Sequence, residues 1–396
     1  MAQWERLAPY NAAQAMTVAG RFSREQVESA WREAIESLGV RDISCDGVGD
    51  TQDVVATINA DLNANVAPRA LKPALRSDDA TTLLLTYRHL VADSASIRLV
   101  MRQWYACLVG DSSLRFDRAV TSMRGDGSLL GTLLRNPIAT AREASREFAR
   151  WRAMKRVARV QQSKLDLRAP VVHERRDLPA GSIARLLQAA RHRNAKVNDL
   201  FVAAGAIACA EHLPMEHAHK RPDIAFGTIV DTRTHAPLDA FGLSLGFLQT
   251  IFPDGALRDG SLRDVERAIA IARDAAARAR VLSDAKSSDL RLAFAERFCR
   301  KHSPIEMADF YRKRCPLVGG VSNVNLNADW PGRADPTTLL DYTRISPLGP
   351  MISVVFTPST LGERLHYGFT WRSGLIDAAT ARAIAERFEE ILFNLV

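Results

Sequence analysis

The sequence predicts an α/β fold in which two similar lobes each lay helices on a mixed β-sheet. Strand-length apolar runs alternate along the chain with capped amphipathic helices, which is the pattern of helix-covered sheets. Both halves show these same ingredients. The 396 residues suffice for two ordinary domains or one large two-lobed unit. The expected lobes span 1–168 and 169–396.

Each element has its own local reason. In FSREQVESAWREAIESLG (22–39), Ser23 and Gln26 form a capping box, Val27, Ala30, Trp31, Ala34, Ile35 and Leu38 make the apolar face, and Gly39 closes the helix. TTLLLTY (81–87) has strand length and β-rich composition. Ser94 is then expected to cap a helix presenting Ile97, Val100, Met101, Trp104 and Leu108, with Gly110 following. Residues 135–168 read as a helix plus a crossover, and APVVHERRDLPAG (169–181) as a fresh start. Ser182 and Asn198 are the expected caps of two further helices. DIAFGTIVDTR (223–233) reads as a strand, and SLRDVERAIAIARDAAARARVL (261–282) and SSDLRLAFAERFCRKH (287–302) as helices. The last part alternates: PLVGGVSNVNL, LLDYTRI, MISVVFTP and RLHYGFTW read as strands, and DAATARAIAERFEEILFNL as a closing amphipathic helix.

Composition removes several classes of function. With 47% apolar and 25% charged residues the chain is globular, neither disordered nor a membrane protein, and no apolar run approaches the roughly 18 residues a spanning helix needs. The first residues lack the basic and apolar regions of a signal peptide. Cys45, Cys107, Cys209, Cys299 and Cys315 are odd in number and scattered, which argues against a disulfide framework or zinc site and leads us to expect a cytoplasmic protein. The formal charge of +8 is uneven: residues 135–168 hold ten Lys/Arg against three acidic residues. That stretch is either a solvated linker helix or a basic surface for an anionic partner such as coenzyme A phosphates or an acidic carrier protein. No nucleic-acid-binding motif accompanies it.

The one compact constellation of chemical interest is His89-x-x-x-Asp93-Ser94, placed in a strand-to-helix turn. Imidazole titrates near neutrality and can take a proton from an attacking hydroxyl, amine or thiol, provided it is held in one orientation. Taken alone, a histidine closing a strand explains the pattern as well.

Context extends the pattern. YRHLVADSASIRLVMRQWY (87–105) resembles the H-H-x-x-x-D-G motif of the coenzyme A-dependent acyltransferase superfamily. That group, with its chloramphenicol acetyltransferase-like fold, includes nonribosomal peptide synthetase condensation domains, polyketide-associated acyltransferases and wax ester synthases. AKVNDLFVAAGAIACA, FGTIVDTRTHAPLDAFGLSLGFLQTIFP, GGVSNVNL and the terminal strand–turn–helix resemble later family segments in the right order. The plant D-F-G-W-G motif is missing, although NADWPG lies nearby, which favours the condensation-like and wax-ester-like branches. The resemblance implies a V-shaped cleft with a channel crossing at His89. It makes His89 the general base and puts Arg88 where the family has its first histidine. It also implies a structural ion pair between Asp93 and Arg233. Ser94 replaces the family glycine, where its side chain either narrows the channel or caps the helix. Ser322 and Asn323 are candidate channel or oxyanion groups, or strand-end hydrogen bonders, and Gln249 and Thr250 are weaker channel candidates. The implied reaction moves an acyl group from a thioester, on coenzyme A or the phosphopantetheine of an acyl carrier protein, to a small-molecule alcohol or amine. No bound cofactor, metal, nucleic acid or transmembrane segment is implied, and a free-standing monomer is expected.

Two other readings compete. A catalytically inactive condensation-like protein would keep carrier-protein binding without chemistry. GLSLG (242–246) matches the G-x-S-x-G nucleophile elbow, with Ser244 as nucleophile and His302 or His366 as base, but the flanking residues read as strand and turn rather than strand then helix. His217 and His219 have metal-ligand spacing without an evident third ligand.

Overall fold

The computed structural model describes residues 2–64, 70–116, 119–122, 137–161, 169–216, 220–231, 240–257, 261–282, 297–330, 338–349 and 352–396. In chain order the strands are β1 (Asn11–Ala19), β2 (Gly49–Asp50), β3 (Leu71–Ser77), β4 (Ala80–Arg88), β5 (Thr121–Ser122), β6 (Arg159–Val160), β7 (Val171–Asp177) and β8 (Met215–Glu216). They continue as β9 (Ile224–Asp231), β10 (Ala240–Phe241), β11 (Leu245–Phe252), β12 (Gly319–Val321), β13 (Val324–Asn325), β14 (Leu339–Ile345), β15 (Val354–Leu361) and β16 (Arg364–Arg372). Two main sheets result. The first runs β14-β1-β4-β3-β2, and the second runs β11-β9-β12-β15-β16-β7 with β13 beside β15. Both mix parallel and antiparallel pairs, as in β2–β3 and β3–β4 of the first sheet.

The first sheet buries one face under the helices Arg24–Ser37 and Ser94–Val109. Alternation along β1 sends Ala12, Met16 and Val18 into that core with Trp31 and Trp104, whose rings meet edge-on at 4.8 Å. The Ser23–Gln26 capping box forms as its spacing requires, and Gly110 closes the second helix with φ of 71°. The second sheet carries the helices Val197–His212, Leu262–Leu282 and Ala378–Phe393 over a core that includes Phe201, Phe226, Phe356 and Phe388. Between the sheets, Ala13, Ala15 and Leu84 of the first meet Val171 and Val355 of the second, with Ile58 and Leu62 of the helix Val54–Asn63.

Segments are exchanged between the lobes. Phe241, Leu326, Trp330, Leu339 and Tyr342 belong to the first core, whereas Met154 and Val157 pack with Ala225 and Leu317 of the second lobe. The division at residue 168 is therefore one of sequence order: strand β14 completes the first sheet, and the helix Pro137–Met154 leads into the second lobe. Three expected caps move by one or two residues. Asp93, Gly181 and Lys196 are the N-cap positions, where Ser94, Ser182 and Asn198 were expected. Ser182 instead turns its hydroxyl back to the Pro179 carbonyl at 2.6 Å, and the Asp199 carboxylate accepts the Lys196 amide at 2.8 Å. The helix expected over 287–302 lies mostly outside the described residues. Among the described residues no helix is long and apolar enough to cross a membrane.

The helix Val197–His212 sits directly on β9 at Gly205. A Cβ there would lie 2.6 Å from the Phe226 Cζ, and that ring is fully buried. Gly205→Ala should therefore destabilise the protein by about 1–3 kcal/mol despite the better helix propensity of alanine. Thermal unfolding of the variant checks this, with a lower melting temperature expected.

Candidate functional site

His89 is the first residue after β4, and its amide donates to the Tyr10 carbonyl at 3.1 Å. The side chain is 5% exposed and flanked by the rings of Tyr10 and Tyr87, with centroids 5.4 and 6.0 Å away. Its Nδ1 is buried without a hydrogen-bond partner among the described residues. Burial pushes the imidazole pKa down to about 4. Arg344 acts in the same direction, while the residue's own backbone and the Asp93 charge oppose the shift. His89 is therefore neutral at pH 7. The preceding residue, Arg88, is committed to an ion pair with Glu5, its Nε donating to the Glu5 carboxylate at 3.1 Å.

Asp93 is fully buried and caps the helix Ser94–Val109, its Oδ1 accepting the Ser96 amide at 3.0 Å. Its Oδ2 accepts the Ser244 amide at 2.8 Å, and its own amide donates to the Gly242 carbonyl at 3.0 Å. The Ser96 hydroxyl completes the clamp, donating to the Gly242 carbonyl and accepting from the Gly242 amide, both at 3.0 Å. A loop from the second half of the chain is thereby fastened to a helix of the first. Arg233 lies outside the described residues.

Ser94 occupies the first helical turn, where its hydroxyl accepts from Gln14 Nε2 at 3.1 Å, Arg98 at 3.3 Å and Arg344 Nε at 2.9 Å. Arg344 also reaches the carbonyl and hydroxyl of Ser322, at 3.4 Å each. Ser94 and Ser322 are thus brought to one place by a residue that the sequence reading passed over. Asn323, partly exposed, makes no hydrogen bond to them. Gln14 and Arg344 are cross-strand partners on β1 and β14, and the Tyr342 hydroxyl donates to Gln14 Oε1. Arg98 is held by Asp329 at 2.6 Å, within the NADWPG segment. Alternation carries the signal that could have found them: Gln14 shares a strand face with core residues Ala12 and Met16, and Arg344 shares one with Tyr342.

The other sequence candidates fall elsewhere. Gln249 donates to the Cys315 sulfur at 2.8 Å, and Thr250 is buried within β11. Ser244 precedes β11, so a strand follows it where a nucleophile elbow needs a helix, and its amide is held by Asp93. His302 stacks on Phe298 with centroids 3.7 Å apart, and His366 lies on β16 opposite Ser359. Neither is hydrogen-bonded to Ser244 among the described residues. His217 and His219 lie outside the described residues, among which no group of three metal-ligating side chains comes together. Surface depressions of about 670 and 530 Å³ lie away from His89, the first beside Arg185 and His192 and the second beside Arg175 and Glu389.

No protein-family profile matches the chain, and no curated protein matches it in sequence. Solved structures do match it in fold. The first condensation domain of the calcium-dependent antibiotic synthetase, in complex with a substrate analogue, superposes with TM-score 0.67 at 14% identity, covering 99% of this chain and 92% of that one. The condensation domain of the Monacolin K polyketide synthase MokA gives 0.64 at 13% identity over 98% and 94%. The trichothecene 15-O-acetyltransferase TRI3 from Fusarium sporotrichioides gives 0.67 at 11% identity over 98% and 91%.

Two expectations follow from this geometry. Asp93→Ala leaves two buried amides without an acceptor and should cost about 2–4 kcal/mol, whereas Asp93→Asn keeps one acceptor oxygen and should cost less. Urea unfolding ranks the three proteins. The second concerns pH. Burial also lowers His173 to about 3 and His366 to about 4. Below about pH 6.5 the unfolded chain therefore binds protons that the native state refuses. Stability is full above that pH and falls as pH drops toward 4, by up to about 3 kcal/mol per histidine. Urea unfolding between pH 7.5 and 4 checks the slope, and a flat profile would count against neutral buried imidazoles.

Proposed function

We propose that this chain, whose two-lobed fold matches those of condensation domains and an O-acetyltransferase, is an acyltransferase that moves an acyl group from a thioester to a hydroxyl or amine, with His89 as general base. The observation that carries this reading is the state of His89: a buried imidazole at a strand end, flanked by the Tyr10 and Tyr87 rings and deprotonated at neutral pH. The acceptor hydroxyl or amine would lose its proton to His89 as its oxygen or nitrogen attacks the thioester carbonyl. The tetrahedral oxyanion would then collapse, expelling the thiolate, which takes a proton back. The Ser322 hydroxyl is the donor nearest in kind to an oxyanion site.

The donor's arm has a candidate path. Ser353, just before β15, and Thr357 and Ser359 on one face of that strand are fully buried, with hydroxyls lacking partners among the described residues. Val355 shares that face and packs against the first sheet, so these hydroxyls look toward the lobe junction. A pantetheine arm, on coenzyme A or a carrier protein, carries amides that would satisfy them. The Lys155 ammonium, over the Trp151 ring at 3.8 Å, adds basic character at the end of the helix Pro137–Met154, where an acidic carrier or coenzyme A phosphates would be attracted.

Thiol release from acyl-coenzyme A and acyl-carrier donors, offered mixed alcohols and amines, tests the proposal. Acceptor-dependent release should fall at least about 100-fold in His89→Ala and persist in Ser244→Ala under matched folding checks. Release that survives His89→Ala sinks the proposed base. Silence with every donor and acceptor, together with retained carrier affinity, would favour the inactive binding protein.

A further inference from the structure

The cluster around Ser94 holds more hydrogen-bond donors than acceptors. A hydroxyl oxygen has two lone pairs, yet Gln14, Arg98 and Arg344 all donate to the Ser94 Oγ. Gln14 Nε2 also donates to the Ser94 carbonyl at 3.0 Å, and Gln14 Oε1 accepts from the Tyr342 hydroxyl. Charge is unbalanced in the same place. Arg98 is matched by Asp329, but no ion pair joins Arg344 among the described residues, although that guanidinium is only 2% exposed. Its terminal nitrogens reach Ser322 alone, at 3.4 Å, the outer limit of a hydrogen bond. Burying a cation is costly unless an opposite charge meets it.

We propose that Arg344, with Ser94 and Gln14, forms a receptor for a carboxylate carried by one of the substrates. The inference rests on the acyl-transfer reading for the reaction it serves, and on donor and charge balance for its chemistry. A carboxylate offers about four lone-pair sites and meets a guanidinium through two parallel bonds. It would replace the two long contacts to Ser322 while Nε keeps its bond to Ser94. A bound carboxylate at this point holds the rest of the substrate in register with His89, whose protonation Arg344 already influences. A neutral substrate of the same shape leaves the guanidinium unmatched and is disfavoured.

Calorimetric titration of the whole chain separates the two sources of carboxylate. Succinyl-coenzyme A against propionyl-coenzyme A probes the donor, and 3-hydroxybutanoate against its methyl ester probes the acceptor. In at least one pair the wild type should bind the carboxylate about tenfold or more tightly than its neutral counterpart. Arg344→Met should erase that preference, and Arg344→Lys, which keeps the charge without the planar fork, should retain part of it. Arg344→Met should also melt at the same temperature as the wild type or higher, because an unmatched buried charge has become an apolar side chain of similar length. A lower melting temperature without any carboxylate preference in the wild type would make Arg344 a structural tie between Ser94 and Ser322 and overturn the proposal. Equal or undetectable binding within both pairs overturns it as well. A carboxylate preference that persists while His89→Ala leaves thiol release unchanged would remove the proposed base and leave this inference standing.

Discussion

The antiparallel pairing of β14 with β1 is the constraint on which the rest of the molecule depends. It places a strand from residues 339–345 at the edge of a sheet otherwise built before residue 89. That register sets Arg344 opposite Gln14 and Tyr342 opposite Met16, so one pairing delivers both a core aromatic and a buried cation to the first lobe. The clamp of Asp93 and Ser96 on Gly242 and Ser244 makes a second crossing in the same direction. Both crossings end within the first turn of the helix Ser94–Val109, and His89 lies in the turn that leads into it.

The electrostatics of this region follow from how little water reaches it. His89, Asp93, Gln14 and Arg344 are each 5% exposed or less. Burial drives His89 toward its neutral form, and it lowers Arg344 to about 10, with Arg98 adding to the shift while Tyr87, Tyr342 and Asp329 oppose it. One histidine is thereby kept neutral and one arginine is kept charged at neutral pH, close to the same helix terminus. Asp93 shows the contrasting solution: its carboxylate is met by main-chain amides, which anchors it without neutralising its neighbours.

What could be read in the sequence was whatever local chemistry determines. The capping box at Ser23 and Gln26, the apolar run that became β4, and the terminal hairpin and helix all form where their own residues require it. The strands β1 and β3 had no counterpart in that reading. NAAQAMTVA is rich in alanine and poor in β-branched residues, and LKPALRS carries a proline, so tertiary pairing rather than propensity decides both. His89, Asp93 and Ser94 stand out by spacing, but Asp93 meets Ser244 and Ser94 meets Arg344, 151 and 250 positions away, which no window of sequence exposes. Arg344 was hidden for the same reason: within LLDYTRI it looks like an ordinary charged residue on a strand, and only the pairing with β1 turns it inward.

The distance between β1 and β14 also has a meaning for a chain being made. The Tyr342–Gln14 hydrogen bond spans 328 positions, so at roughly 5–20 residues per second the first strand waits on the order of half a minute for its neighbour to leave the ribosome. Throughout that interval one edge of the sheet is open, the condition under which strands recruit other chains. Alanine, asparagine, glutamine and threonine supply seven of the nine residues of β1. Such a composition has low β-propensity, so the strand's pairing depends on the register that β14 brings rather than on its own preference for extended structure.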